Sequence, residues 1–308
     1  MTTVDACICT FRRKSVVDTL ESLMAIDVPT GTEFAVLVID NDTRPSAQDA
    51  VLAFARQSRW PVRYIHCPAR NISIARNGAL GGADARFVAF IDDDEIASRG
   101  WLCGLLRVQS QTAADVVLGP VDARYGDDVP AWMQQARVHA TRPVWVGGQI
   151  RTGYTGNVLI DLTSAAVQGL RFDPALGRSG GEDTAFFSAI HRAGGRIAYA
   201  ADAAVEETVP AARARLGWLM QRKFRMGQTH AQVVVAQPGK RRWIGIPVAA
   251  AKLAFCAVAT VLSLPHRRTR NLWALRGCLH AGVVAGLAGR DALQSYGYAE
   301  PIAGGPTD

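Results

Sequence analysis

Arg86-Phe87-Val88-Ala89-Phe90-Ile91-Asp92-Asp93-Asp94-Glu95 decides the reading of this chain: a short apolar run ends in four consecutive carboxylates. A buried strand that stops this way sets dense negative charge at the edge of a sheet. Carboxylates that close raise one another's pKa and resist burial. A hard divalent ion, Mg²⁺ or Mn²⁺, resolves the conflict because such ions take oxygen ligands. The D-x-D spacing aims Asp92 and Asp94 to one side of an extended chain, where they can share an ion that bridges a diphosphate. Read structurally, the same residues are a solvated acidic turn that caps the next helix.

Outward from this stretch, residues 4–10, 34–39, 62–66 and 86–91 read as strands. Helical stretches at 15–25, 46–57 and 73–82 separate them, and a helix at 99–109 and a strand at 116–121 follow. The alternation predicts an α/β fold with a mainly parallel sheet covered by helices, Rossmann-like in its layers. Ligands of such sheets bind beyond the carboxyl ends of the strands, where Thr10, Asp40 and Asp92 to Asp94 all fall. No GxGxxG follows the first strand and no GxxxxGK[ST] occurs, which disfavours a dinucleotide fold and a P-loop. Residues 126–156, rich in Gly, Trp and Arg, read as an irregular loop of the kind that covers active sites. A strand at 158–160 follows it. Gly180-Gly181-Glu182-Asp183 then opens a helix over 184–193, and short strands at 197–200 and 204–205 precede Glu206-Glu207.

Each candidate has two readings. Asp40 ends a strand where it can accept hydrogen bonds from a base or ribose, or form an Asx turn. Arg76, near a helix start, suits a phosphate or a surface ion pair. Glu182 and Asp183 complement a helix dipole, or supply a general base on a glycine turn that admits substrate closely. The six cysteines form no CxxC pair. Cys7 and Cys9, on one side of one strand, read as buried thiols of a reducing compartment rather than a metal pair. The histidines have no metal-ligand spacing. A phosphatase of the D-x-D type is disfavoured by Ile96, where Thr or Val is wanted.

Charge divides the chain. Of 34 Lys and Arg, 14 lie between Thr208 and Arg290, a stretch without Asp or Glu; the remainder carries 20 basic against 27 acidic residues, a balance of −7 within a total of +7. The basic part contains a 23-residue apolar run, 243–265, interrupted by Pro247 and Lys252 and flanked by Lys240-Arg241-Arg242 and Arg267-Arg268-Thr269-Arg270. It is long enough to span a bilayer, but Lys252 at its middle is costly there. A helix docked on an anionic membrane surface through residues 240–270 fits better. Few aromatics interleave with the basic residues, so no nucleic-acid partner is expected. No cleavable leader is expected either, which points to a cytoplasmic protein, peripheral on the inner face of the cell membrane.

Five segments taken in order resemble the family 2 glycosyltransferases of the GT-A fold. They are residues 4–13, Val38-Ile39-Asp40-Asn41-Asp42, Ala75-Arg76-Asn77, Phe90 to Glu95 and Gly181-Glu182-Asp183. Phe172-Asp173 followed by residues 180–187 is similar to the exopolysaccharide glucosyltransferases of the succinoglycan type. The resemblance implies that Thr10, Arg13, Asp40, Arg76, Asp92 and Asp93 line the nucleotide-sugar pocket, with Asp40 at the uracil, Asp92 at the ribose and Arg76 near the base or diphosphate. It implies Asp94, with Asp92, as the site of Mg²⁺ or Mn²⁺, and Asp183, with Glu182 as substitute, as the catalytic base. Asp93 and Glu95 otherwise add field or cap the next helix.

It further implies an inverting transfer of one hexose, glucose first, from a UDP-sugar to a saccharide acceptor carried on a polyprenyl diphosphate. Gln221-Arg222-Lys223-Phe224-Arg225 departs from the Gln-x-x-Arg-Trp of processive members, which argues for a single addition. The expected organisation is a GT-A catalytic domain over 1–212, with a nucleotide-sugar half near 1–121 and an acceptor half near 122–212, followed by a helical extension over 213–308. A non-catalytic scaffold is the remaining alternative.

Overall fold

The computed structural model describes residues 1–235 and 242–290. Its first half alternates β1 (Thr2–Thr10), α1 (Val16–Met24), β2 (Thr32–Asp40), α2 (Gln48–Ala55), β3 (Val62–His66), α3 (Ile72–Gly82) and β4 (Phe87–Ile91). These four strands lie parallel in the order β4-β1-β2-β3. The sequence dictates a sheet buried on both faces. In β1 and β4, Val4, Ala6, Ile8, Phe87, Ala89 and Ile91 enter one core, with Leu20 and Leu23 of α1 and Val51 and Phe54 of α2. Cys7, Val88 and Phe90 enter the opposite core, with Ala75 and Ala79 of α3. Continuous apolar runs of this kind, apolar on both parities, are what helix-covered parallel strands require.

The chain departs from expectation after Ile91. Residues 92–95 form a turn, with the Glu95 N–H donating to the Asp92 carbonyl (3.2 Å). Glu95 then starts a strand, β5 (Glu95–Ala97), so neither it nor Asp93 caps the next helix, α4 (Trp101–Thr112). Both are buried, and strand parity replaces the helix geometry the acidic run suggested. The strand expected over 116–121 is two, β6 (Val116–Leu118) and β7 (Val121–Arg124), because Gly119-Pro120 breaks it between two sheets. Then follow α5 (Ala131–Gln135), the hairpin β8 (Trp145–Val146) and β9 (Gln149–Ile150), β10 (Asn157–Asp161), α6 (Glu182–Arg192), β11 (Ile197–Tyr199) and β12 (Val205–Thr208).

The main sheet has seven strands in the order β11-β6-β10-β4-β1-β2-β3, and β10 is antiparallel to both of its neighbours. A smaller sheet, β5-β12-β7, adjoins it. Glu206 and Glu207 lie inside β12 rather than after it, and Glu207 pairs in register with Glu95. Phe186, Phe187 and Ile190 of α6 complete the second core.

Three long helices end the described chain: α7 (Leu216–Val235), α8 (Arg242–Leu262) and α9 (Arg267–Leu287). Arg267, Arg268 and Arg270 of the second basic flank belong to the first turn of α9. Lys240 and Arg241 of the first basic flank lie outside the described residues, as do residues 291–308 of the extension. Helices α7 and α9 cross at glycines: a Cβ on Gly282 would overlap the Phe224 carbonyl oxygen, and one on Gly227 the Leu279 carbonyl oxygen. Leu219 of α7 and Leu275 of α9 pack with Val129, Trp132, Met133 and Val209, which ties the helices to the sheet domain.

Candidate active site

The carboxyl ends of β1, β2 and β4 supply the first group of residues. Thr10 and Asp40 stand opposite each other in register. Thr10 Oγ1 donates to Asp93 Oδ2 (2.8 Å). Arg13 pairs with Asp94 and lies 3.3 Å from Asp93 Oδ1. The acidic turn alternates: Asp93 and Glu95 are buried, while Asp92 and Asp94 are half-exposed. Burial first, and Asp94 beside it, raises Asp93 to about 7, although Arg13 opposes this. Burial likewise raises Asp92, with Asp94 and Glu182 adding to the effect and Arg76 and Arg13 opposing it. Glu95 Oε2 accepts the Asp92 N–H (2.9 Å). Gly156 lies flat against this turn; a Cβ there would stand 2.7 Å from Glu95 Oε1 and 3.2 Å from Asp92 Oδ2.

Asp40 is differently engaged. It is fully buried, Oδ1 accepts the Asp42 N–H (3.0 Å), and Oδ2 accepts the Ala47 N–H (2.8 Å) and the Tyr64 hydroxyl (2.8 Å). Its carboxylate organises the loop after β2. That loop also takes Arg12, whose Nε donates to Asp42 Oδ2 (2.8 Å) from a left-handed backbone, φ +56°.

The second group comes from α3 and α6. Asn71 caps α3, accepting the Ile74 N–H (3.3 Å). Arg76, one turn further, is buried and pairs with the buried Glu182. Burial alone would lower the guanidinium's pKa; Glu182, then Asp92 and Asp183, hold it above its ordinary value. Arg76 therefore interacts electrostatically with both acidic motifs. Glu182 Oε2 is buried without a hydrogen-bond partner among the described residues. Asp183 is half-buried, and its Oδ1 accepts the Thr184 N–H (2.6 Å) and hydroxyl (3.3 Å). Burial raises Asp183 to about 6, Glu182 adds to this, and Arg76 pulls the other way. Gly180 and Gly181, at φ +89° and +98°, make the turn that delivers both acids to the start of α6. A Cβ on Gly181 would also strike the Thr229 methyl of α7.

Among the described residues no group of three or more His, Cys, Asp or Glu side chains forms a metal cage. Asp92 and Asp94 nonetheless fit Mg²⁺ or Mn²⁺ of the kind that completes its shell with substrate phosphates and water, since one or two carboxylates are then enough. Cys7 and Cys9 both lie against the second core.

A model of the Glycosyl transferase family 2 matches residues 5–172, more than half of the chain. This chain is a family 2 glycosyltransferase. The transferase is 46% identical over 298 residues to the succinoglycan biosynthesis protein ExoM of Rhizobium meliloti (strain 1021), with 96% of each chain covered. Its fold is GT-A. It resembles the Pyrobaculum calidifontis mannosyltransferase PcManGT in complex with GDP-Man and Mn²⁺, at TM-score 0.65 and 18% identity, over 92% of this chain and 86% of that one. It also resembles S. aureus TarS 1–349 in complex with UDP-GlcNAc, at TM-score 0.54 and 16% identity, over 94% and 93%. Of a longer TarS chain it spans 55%.

The contacts of four residues around these turns escaped the sequence reading. Asn77 exchanges two hydrogen bonds with the Phe172 backbone (2.8 Å each), pinning the 170–180 loop to α3. Phe172 in turn stacks on Phe186 (ring centroids 4.1 Å apart) and faces Arg76. Asn157, fully buried, accepts from Trp101 Nε1 (2.8 Å) and donates to the Pro120 and Ala203 carbonyls. Glu207 is raised by burial and by Asp94 beside it, and Arg213 holds it (2.8 Å). Only Glu207 left a signal: it shares strand parity with the buried Val205.

Proposed function

We propose that this transferase moves a single hexose, glucose by resemblance, from a UDP-sugar to a saccharide on a polyprenyl diphosphate, with inversion, in exopolysaccharide synthesis. One observation carries the reading: the buried Arg76 pairs with Glu182 and lies within electrostatic reach of Asp92 and Asp183, so two acidic motifs 90 residues apart in sequence share one cation. The succinoglycan relative supports the exopolysaccharide context, and the UDP-GlcNAc complex of TarS supports a UDP-sugar donor.

In this reading Asp183 is the base. A carboxyl with pKa about 6 is mostly ionised at neutral pH and still basic enough to accept a hydroxyl proton as the glycosidic bond forms. Only its Oδ1 is engaged by Thr184, which leaves Oδ2 for the acceptor. Glu182 is less suited, because Arg76 holds it in the interior. Asp92 and Asp94 would hold Mg²⁺ or Mn²⁺, and the ion would supply positive charge to offset that growing on the departing diphosphate. Thr10 and Arg13 fix the acidic turn through Asp93 and Asp94. Arg76 positions Glu182 and Asp40 organises the loop after β2, both at the nucleotide-sugar side of the site that the resemblance implies. Residues 1–212 form the catalytic unit, and 213–308 dock it on an anionic membrane surface.

The test incubates the purified protein with UDP-glucose, UDP-galactose, UDP-GlcNAc and GDP-mannose, with Mg²⁺, Mn²⁺ or a chelator, and reads the product's anomeric centre by NMR. Metal-dependent consumption of a UDP-sugar and a β-linked product are expected. An α-linked product, or near-normal turnover by Asp183→Asn, overturns the mechanism.

A further inference from the structure

Between α8 and α9 lies a groove of about 430 Å³. Lys252 enters it from α8, and Arg276 and His280 enter from one face of α9, four residues apart. Phe255 and Trp273 form an aromatic wall, with ring centroids 5.5 Å apart and near-perpendicular, and the buried Cys256 lies beneath. The Arg276 guanidinium stands 5.3 Å from the Trp273 ring centre. Burial first, then Lys252, Arg276 and His230, lower the pKa of His280. No carboxylate exists between Thr208 and Arg290 to relieve this crowding. Like charges gathered over an aromatic wall, with no acid on their own helices, make a site for an anion.

The groove adjoins a broad apolar surface. Gly245–Leu262 is, among the described residues, the one helical stretch long and apolar enough to cross a membrane. It is not packed away: Val248, Phe255, Val258, Val261 and Leu262 are all more than half exposed. Arg267 and Arg268 stand exposed at the far end. Phe255 belongs to both the apolar face and the groove, so a ligand in the groove meets cations and hydrocarbon together.

We propose that Lys252, Arg276 and His280 form a binding site for the phosphate of an anionic phospholipid, whose acyl chain runs along Phe255 and the exposed face of α8. The shared chemistry is a phosphate monoanion; the apolar continuation favours the lipid over free phosphate. The site rests on the membrane docking proposed above and gives it a defined headgroup contact.

Flotation of the full chain with vesicles tests it. The vesicles are phosphatidylcholine alone or with phosphatidylglycerol, at 0.3 M salt so that diffuse attraction is screened. Lys252→Gln/Arg276→Gln removes both charged contacts to the phosphate and should lower binding to phosphatidylglycerol vesicles at least about tenfold. The control pair Arg267→Gln/Arg268→Gln, outside the groove, should cost under about threefold. Dihexanoyl phosphatidylglycerol below its micelle concentration should raise the His280 pKa seen by NMR, and inorganic phosphate at the same concentration should not. Equal losses in the two pairs, an unmoved His280, or an equal response to inorganic phosphate would each overturn the site. A wild-type chain that floats with neither vesicle overturns the docking itself, and that outcome differs from all three.

Discussion

Asp183 and Glu182 are neighbours in sequence with opposite surroundings. Asp183 is half-buried with one oxygen engaged by Thr184, whereas Glu182 is locked to Arg76 in the interior. A base with pKa about 6 should give kcat/KM an acid limb: activity is full above that value and falls about tenfold per pH unit below it. Asp183→Asn should remove the limb along with about 10²- to 10⁴-fold of the rate. Arg76 lowers the Asp183 pKa, so Arg76→Met should move the limb to higher pH. It also strands a buried carboxylate, at a cost of about 3–5 kcal/mol. Arg76→Met/Glu182→Gln should recover most of that stability in urea melts, since replacing both members of a buried pair is often neutral. If the single variant melts like wild type, the buried pair is not what fixes the turn.

At the scale of elements, the legible parts were those with a strong local signature. The alternation of apolar strands with helices announced a covered parallel sheet, and Asp92 to Glu95 marked the turn at its carboxyl edge. Three things were not legible. The antiparallel insertion of β10 is set by tertiary pairing, since Val158-Leu159-Ile160 suits either direction. The strand β5 is hidden because Glu95 is charged yet buried, held by the Asp92 N–H. The Asn77 clasp on Phe172 joins residues 95 apart, a separation no local pattern spans. The glycine turn before α6 was legible in kind but not in its contact with α7. Gly181→Ala should cost about 1–2 kcal/mol for the left-handed backbone, plus the collision with Thr229. Adding Thr229→Ser, which removes the struck methyl, should restore the packing share but not the backbone share. Thermal melts of the two variants against wild type separate the two.

At the scale of the whole molecule, the charge division of the sequence becomes a division of surfaces. The acidic part builds the sheet and its carboxylate-lined edge; the basic part builds three helices that reach back to it. Those helices do two separable things. Through Thr229 on Gly181, and through Leu219 and Leu275 on the Val129–Met133 region, they brace the catalytic unit. Through α8 they present an apolar face with no protein against it among the described residues. Mutations should therefore split the two roles. Phe255→Ser/Val258→Ser/Leu262→Ser strips the exposed face; with about 1.5–3 kcal/mol for each fully buried apolar side chain, vesicle binding should fall at least about 100-fold. Donor turnover in detergent should stay within about twofold, because none of the three side chains reaches the sheet domain. Gly282→Leu should do the reverse in part: it forces α9 off the Phe224 carbonyl, loosens α7, and should lower both the melting temperature and turnover in detergent. A triple variant that loses turnover and flotation together would mean that α8 is bound into the catalytic fold, and the separation of roles would be lost.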